Sequence, residues 1–418
     1  METPNHQTQT QDLGVGEEMN IRRATYKQFI TPTTLADCIS QTEWRDAGKS
    51  HEEMIMAIAA CLGESLTDGS YTFNISTHED MFVNGQPARS IDALCQDLVL
   101  RKISRTIKQL YYIHPGNRNS IIKHIITLLN ENTDLWVLRL DVHHFYESID
   151  RERLIADLKA KGRISAQTMK LLDNLFATNP INSISGLPRG LNVSAMLSEF
   201  YMKYFDIELR KFPGVYYYAR YVDDIIVFCI SKEARESVSK YVEEELGKLS
   251  LTLNKEKTIF WESNSAKEFV YLGYEFKKKR EQVAVSIAPE KLKKIKTRIT
   301  KSFVRFAKDG KYDELLMRIK YLTGNFRLHP LNRMAPISVG LYYNYKYITN
   351  LVCLNELQLY YGKLVNLKSG KLGDKLRLRM TDGQREKLNH YSFKFGFVRR
   401  VRYGFNKDQL KKITSCWK

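Results

Sequence analysis

The stretch VYYYARYVDDIIVFCI, residues 215–230, decides how the rest of the chain is read. Two runs of β-branched and aromatic residues flank Asp223-Asp224, so the segment reads as a β-hairpin with an acidic tip. Far upstream, the apolar run at residues 135–140 (LWVLRL) ends in another acid, Asp141. Clustered carboxylates repel one another unless cations neutralise them. Oxygen-only sites suit Mg²⁺, which bridges protein acids and substrate phosphates, and two such ions can serve an in-line displacement at phosphorus. An Asp pair at a surface turn is also ordinary turn chemistry, because Asp favours turns. The catalytic reading therefore requires a fold that brings two strand ends together.

Working outward, the loop TNPINSISGLPRG (178–190) opens a helix over about 191–211, and a charged amphipathic helix follows the hairpin over 232–249. Residues 268–286 read as a second hairpin. Upstream, apolar residues recur at helical spacing over 50–64, 88–112, 119–131 and 147–161, with His114-Pro115-Gly116-Asn117 as a break. From about 287 the pattern is helical and basic. There Ile295, Ile299, Phe303 and Phe306 form an apolar stripe, while Lys294, Arg298 and Arg305 leave a cationic face suited to nucleic acid. The tail, 390–418, mixes aromatics and cations, which suits nucleic acid and a protein interface equally.

The 418 residues carry 65 Lys+Arg against 47 Asp+Glu, and a net charge of +18 favours a polyanionic partner. The 43% hydrophobic content is that of a globular chain and argues against global disorder. No apolar run approaches the roughly 20 residues that span a bilayer, and residues 1–25 read as a polar, flexible arm without a secretory signal. Cytosolic placement without membrane contact is expected. The six scattered cysteines show no zinc spacing; buried thiols in a reducing compartment are expected, with neither zinc nor a disulfide framework.

Five segments occur in order: LRLDVHHFYESI, GLPRGLNVSAMLSEFYM, YVDDIIVF, LTLNKEKT and YLGYEF. Here the chain resembles the reverse transcriptase family. Asp141 to Ile149 matches D-x-x-x-F-F/Y-x-S-I, Gly186 to Ser194 matches G-L-P-x-G-x-x-x-S, and Tyr221 to Asp224 matches Y/F-x-D-D. Leu253, Asn254 and Lys257 match L-N-x-x-K-T, and Tyr271 to Tyr274 match the primer-grip hairpin. The resemblance covers about 95–280. It implies an α+β right-hand polymerase: fingers over 26–134, a palm with an antiparallel sheet over 135–285 (a fingers insertion near 150–190), and a helical thumb with a basic C-terminal extension over 286–418.

It implies roles as well. Asp141, Asp223 and Asp224, with the Val142 carbonyl, would hold two Mg²⁺ ions, which Mn²⁺ can replace. Lys257 would protonate pyrophosphate. Arg118 and Lys123 would grip the triphosphate, with Arg101 as a further candidate. Tyr146 would exclude a ribose 2′-hydroxyl. Arg189 stands where many members carry Gln, so its role, dNTP or template, stays open beside Gly190. Tyr271, Leu272 and Gly273 would grip the primer. His143 and His144 are read as solvent-facing rather than metal-binding.

No ribonuclease H, integrase or endonuclease pattern follows. The stretches 98–129 and 318–351 look closer to the bacterial defence-associated and abortive-infection reverse transcriptases, which implies antiphage defence with a dedicated non-coding RNA as template, a DNA product and a homo-oligomer in some relatives. Untemplated or protein-primed terminal transfer, and a retron or group II intron type of enzyme, are the alternatives.

Overall fold

The N-terminal helices α1 (Pro32–Ala36), α2 (Gln41–Ala47) and α3 (His51–Leu62) each start on a hydroxyl cap, Thr31, Ser40 and Ser50, in reciprocal capping boxes. The computed structural model describes residues 26–63, 66, 69–83, 86–131, 133–263, 267–279, 282–328 and 336–417; the arm expected over 1–25 lies outside them. Next come an antiparallel hairpin, β1 (Ser76–Val83) and β2 (Gln86–Ser90), and the helices α4 (Leu94–Leu110) and α5 (Arg118–Leu129), the latter capped by Asn117. The expected helix over 88–112 is corrected here. Residues 88–90 pair with β1 as a strand, and helix begins only at Leu94, because cross-strand pairing overrides a weak local preference.

Strand β3 (Trp136–Asp141) leads into α6 (Phe145–Ser148), α7 (Arg151–Ala160), α8 (Ala166–Ala177) and the long α9 (Asn192–Lys211). The hairpin β4 (Val215–Tyr221) and β5 (Asp224–Cys229), helix α10 (Lys232–Lys248) and β6 (Ile259–Glu262) complete a four-stranded sheet in the order β4-β5-β3-β6, antiparallel throughout. A three-stranded meander follows: β7 (Phe269–Tyr271), β8 (Tyr274–Lys279) and β9 (Gln282–Ile287).

Alternation along the strands divides the molecule into two cores. Leu138, Leu140, Ile225, Val227 and Cys229 face a core shared with the N-terminal helices and α9. Val137, Ala219, Ile226 and Phe228 face a second core with α5, the meander and the C-terminal helices. Arg139, Asp141 and Asp224 follow the same alternation onto this second face, at the end of the ladder.

Helix α11 (Pro289–Asp309) buries Ile299, Phe303 and Phe306 and turns its cations outward, as its stripe predicts. After α12 (Tyr312–Thr323), a short hairpin, β10 (Asn325–Leu328) and β11 (Ile337–Gly340), interrupts the mostly helical run. Six helices close the described chain: α13 (Leu341–Tyr345), α14 (Val352–Val365), α15 (Gly370–Arg379), α16 (Asp382–Asn389), α17 (Phe393–Val398) and α18 (Lys407–Ser415), the last packed back on α12. Cys61 and Cys95 form a disulfide that joins α3 to α4, contrary to the expectation of free thiols; spacing alone carries no signal of that proximity. Cys38, Cys229 and Cys353 are buried free thiols, as expected. No described helix is long and apolar enough to cross a membrane.

Candidate active site

Asp141 closes β3, Asp224 opens β5, and the register sets them directly opposite each other. Facing residues on antiparallel strands hold their Cβ atoms about 5 Å apart, so two of the three predicted acids meet by ladder geometry alone. The third, Asp223, belongs to the two-residue turn between the paired residues Tyr221 and Asp224. Its neighbour Val222 has a φ of 60°. A β-branched residue avoids that region, and such strain costs about 1–3 kcal/mol, so it persists only where the surroundings fix the backbone.

Three successive carbonyls of the turn are fixed from three directions. The Val222 carbonyl accepts from Arg220 Nη1 at 2.9 Å, the Asp223 carbonyl from the Val142 amide at 3.1 Å, and the Asp224 carbonyl from the Tyr271 hydroxyl at 3.0 Å. On its far side, β3 continues past Asp141 through a bridge between Val142 and Leu253, where the Asn254 amide donates to the Asp141 carbonyl at 2.8 Å. The strand end that carries Asp141 is thus clamped on both edges.

The carboxylates are crowded and partly dry. Burial pushes the Asp223 carboxyl above the usual carboxylate range, and Asp224 and Asp141 push it further. Burial also raises Asp224, against the pull of Arg139, whose Nη2 lies 3.3 Å from Asp224 Oδ1. Lys257 Nζ donates to Asp141 Oδ1 at 2.9 Å, a contact that holds the ammonium above its ordinary value and so keeps it charged. Among the described residues no three acidic, His or Cys side chains form a closed metal cage. The donor chemistry nonetheless fits a hard divalent ion, since Mg²⁺ takes one or two carboxylates and completes its shell with water and substrate phosphate. The Lys257 and Arg139 contacts mark the positions where positive charge is favoured.

Beside the acids lies a polar cavity of about 250 Å³, lined by Gln86, Arg89, Glu147, Ser183, Ser185 and Arg189. Arg189 clasps Glu147 through Nε at 2.6 Å and Nη2 at 3.0 Å, and its guanidinium stacks 5.1 Å over the Tyr146 ring. Arg189 therefore reaches the site as half of a bidentate pair, which answers part of what the motif left open. Gly190 has a φ of +101°, and a Cβ there would fall 2.2 Å from the Arg89 carbonyl, so its role is to let the loop lie on β2. Arg89 is buried and its Nε has no hydrogen-bond partner.

The remaining predicted residues are dispersed. Arg118 donates through Nε and Nη2 to the Leu272 carbonyl at 3.1 and 2.8 Å and through Nη1 to the Asn344 carbonyl at 2.9 Å. It also stacks on Tyr274, so it braces the β7–β8 turn and leaves the triphosphate reading without support. Lys123 is exposed on α5, and Arg101 is buried against Glu43 and Asp97, away from any substrate. Tyr271 has 0% exposure; its side chain serves the acidic turn and cannot touch a primer, which corrects that part of the grip assignment. Leu272 and Gly273 form the turn itself, both at positive φ. On α11, Lys294 is exposed, Arg298 stacks on Trp417, and Arg305 pairs with Asp309. His143 and His144 are exposed, as expected.

Sequence reading missed Arg139, Arg89, Glu147 and Arg220. Arg139 carried a usable signal: a lone cation inside an apolar strand run. Arg220 immediately precedes the Y/F-x-D-D segment, within the hairpin stretch, without belonging to the motif.

Residues 89–276 match the family model described as reverse transcriptase (RNA-dependent DNA polymerase). Over those residues, under half of its length, the chain is similar to the reverse transcriptase family. That family consists of RNA-directed DNA polymerases, which are nucleotidyltransferases. No curated protein matches the chain. Among solved structures, an apo telomerase of Candida tropicalis, truncated from its C-terminal domain, is 15% identical with a TM-score of 0.34 over 45% of this chain and 44% of that one. A telomerase of Candida albicans, in complex with a TWJ fragment of telomeric RNA, is 11% identical with a TM-score of 0.35 over 76% and 53%. The chain spans about half the length of these telomerases, and at such TM-scores they inform neither the site nor the layout. The matched segment begins on β2 and ends in β8, so it contains every residue of the acidic cluster.

Proposed function

We propose that the protein copies an RNA template into DNA by transferring a nucleotide from a dNTP to a 3′-hydroxyl at Asp141, Asp223 and Asp224. The observation that carries this reading is the cross-strand pairing of Asp141 with Asp224 beside the Asp223 turn. The three carboxylates and the Val142 carbonyl are the groups that would hold two Mg²⁺ ions. When bound, such ions lower the pKa of the attacking hydroxyl and offset charge on the leaving pyrophosphate.

The chain's own residues do the rest. The new O–P bond forms at the α-phosphorus as the bond to pyrophosphate breaks, so negative charge accumulates on the leaving group. Lys257, held charged beside Asp141, faces that charge. Arg89 and Arg189 line the neighbouring cavity, where buried guanidinium groups suit phosphate oxygens. Tyr146, whose ring lies under Arg189, would test the sugar for a 2′-hydroxyl.

In this reading the sheet and meander form a palm, the elements before β3 act as fingers, and α11 onward forms the thumb and its extension. The 24 tyrosines leave open a primer on the protein itself. The looser likeness of 98–129 and 318–351 to the defence-associated group supports a dedicated non-coding RNA and a role against phage in the bacterial cytosol.

The test uses purified protein with its co-purifying RNA, Mg²⁺ and labelled dNTPs. Extended DNA whose sequence complements the RNA is expected. Asp223→Ala with Asp224→Ala should reduce incorporation by at least about 10³-fold, the scale for losing preorganised charge stabilisation. Equal product from that double variant would sink the assignment, and product unrelated to the RNA would point to untemplated transfer.

A further inference from the structure

Behind the acidic turn lies a buried ionic cluster with an unusual completeness. Arg220 has 3% side-chain exposure and five N–H donors, and all five are satisfied. Nε and Nη2 donate to the two oxygens of Asp206, each at 2.8 Å; Nη1 and Nη2 donate to the two oxygens of Glu199, at 3.1 and 2.8 Å. The fifth donor goes to the Val222 carbonyl at 2.9 Å. Glu199 and Asp206 are seven residues apart on α9, two helical turns, and therefore share one face toward β4. The Tyr218 hydroxyl completes Asp206 at 2.6 Å.

The cluster is larger than core packing requires. Buried ion pairs are no efficient source of stability, since desolvation offsets most of their attraction, and their best-attested use is to specify one arrangement. Here the arrangement specified is the strained one. Val222 sits at a φ of 60°, and its carbonyl is the only turn group that the cluster touches. The carbonyl of Arg220 itself is pressed by Gly116, where a Cβ would fall 2.2 Å away, so the strand cannot drift off α9.

We infer that Arg220 is a positioning residue, which uses Glu199 and Asp206 as a rigid mount to hold Val222 in its left-handed conformation and so aims the Asp223 and Asp224 carboxylates for divalent-ion binding. This deepens the polymerase reading and rests on it. Arg220 touches neither substrate nor reacting atoms. It sets turnover and metal demand through the backbone, and leaves the cavity of Arg89 and Arg189 unchanged.

The decisive variants separate charge balance from aim. Arg220→Met alone strands two buried carboxylates and risks unfolding. Arg220→Met with Glu199→Gln and Asp206→Asn removes all three charges together, which restores neutrality and leaves the Val222 carbonyl without its clamp. Arg220→Lys keeps the charge, but an ammonium has three donors and cannot serve both carboxylates and the carbonyl. Mn²⁺ binding to the full-length protein is measured by electron paramagnetic resonance, beside thermal melting and nucleotide incorporation as a function of Mg²⁺ and dNTP.

The neutralised triple variant should melt near the wild type yet bind Mn²⁺ about 10–100-fold more weakly, as residues behind a metal ligand typically cause. Its kcat should fall and its Mg²⁺ requirement rise, with little change in the KM for dNTP. If the triple variant does not fold, Arg220→Lys is read by the same titration. Wild-type Mn²⁺ affinity and turnover in whichever variant folds would overturn the inference. A wild type that binds Mn²⁺ but incorporates no nucleotide sinks the polymerase reading alone, because the Mn²⁺ comparison still decides Arg220. Absence of any Mn²⁺ binding that depends on Asp223 and Asp224 defeats both.

Discussion

Tyr271 shows how a residue's surroundings define its work. Its phenol is fully buried, burial pushes its pKa well above the ordinary tyrosine value, and its hydroxyl is left to donate to the Asp224 carbonyl. Tyr271→Phe keeps the ring and removes that bond to the Asp224 carbonyl. A loss of about 0.5–1.5 kcal/mol in unfolding free energy is expected from urea titration, with slower incorporation at fixed Mg²⁺. The acids themselves make the opposite prediction. Asp223 and Asp224 both have folded-state pKa values raised above the ordinary 3.8. A raised carboxyl favours folding while protonated, so this contribution is complete below pH 3.8 and is lost as pH rises through the folded values. Asp223→Asn with Asp224→Asn escapes that loss. In chelator, the variant should melt above wild type near neutral pH and show no such advantage below pH 3.8. A constant difference across that window would contradict the crowding of these carboxylates.

At the scale of elements, function depends on where strands end and what abuts them. β4 and β5 pair to within two residues of each other, which leaves room only for a tight turn, and β3 terminates level with them. The loop between α4 and α5 then comes close enough to β4 that Gly116 lies against the Arg220 carbonyl. Gly116→Ala would push backbone against backbone. A destabilisation of about 1–3 kcal/mol is expected, the usual scale for overpacking, visible as a lower urea midpoint with unchanged slope. The meander shows the same economy: Arg118 on α5 reaches the carbonyl of its first turn, and so ties α5 to β7–β8 and to the segment at Asn344.

For the whole molecule, the governing quantity is charge. A surplus of +18 is carried largely by surfaces such as the outer face of α11, while the carboxylates of the site lie at the end of a sheet between two cores. Contacts with about six backbone phosphates of a template–primer duplex would make binding fall about 10³-fold between 50 and 200 mM salt. Fluorescence anisotropy with a labelled duplex measures the slope directly; affinity indifferent to salt would remove the electrostatic basis for nucleic-acid binding. The disulfide between Cys61 and Cys95 ties two N-terminal helices within the first core and lies apart from the acidic turn.

Local pattern in the sequence was enough to recover most elements: the central hairpin, β3, α9, α10 and α11 all lie where alternation, helical periodicity and turn residues put them. It was also enough to name Asp141, Asp223 and Asp224, because their residue types and the motifs around them carry the chemistry. It missed β1–β2 and β10–β11, since short strands gain their stability from partners distant in sequence. Register alone set Asp141 across from Asp224, and packing alone gave Arg118 to the meander, Tyr271 to the turn and Arg220 to two acids on α9. A residue's type determines what it can bind, but burial and distance determine what it does bind, and those exist only once the chain has folded.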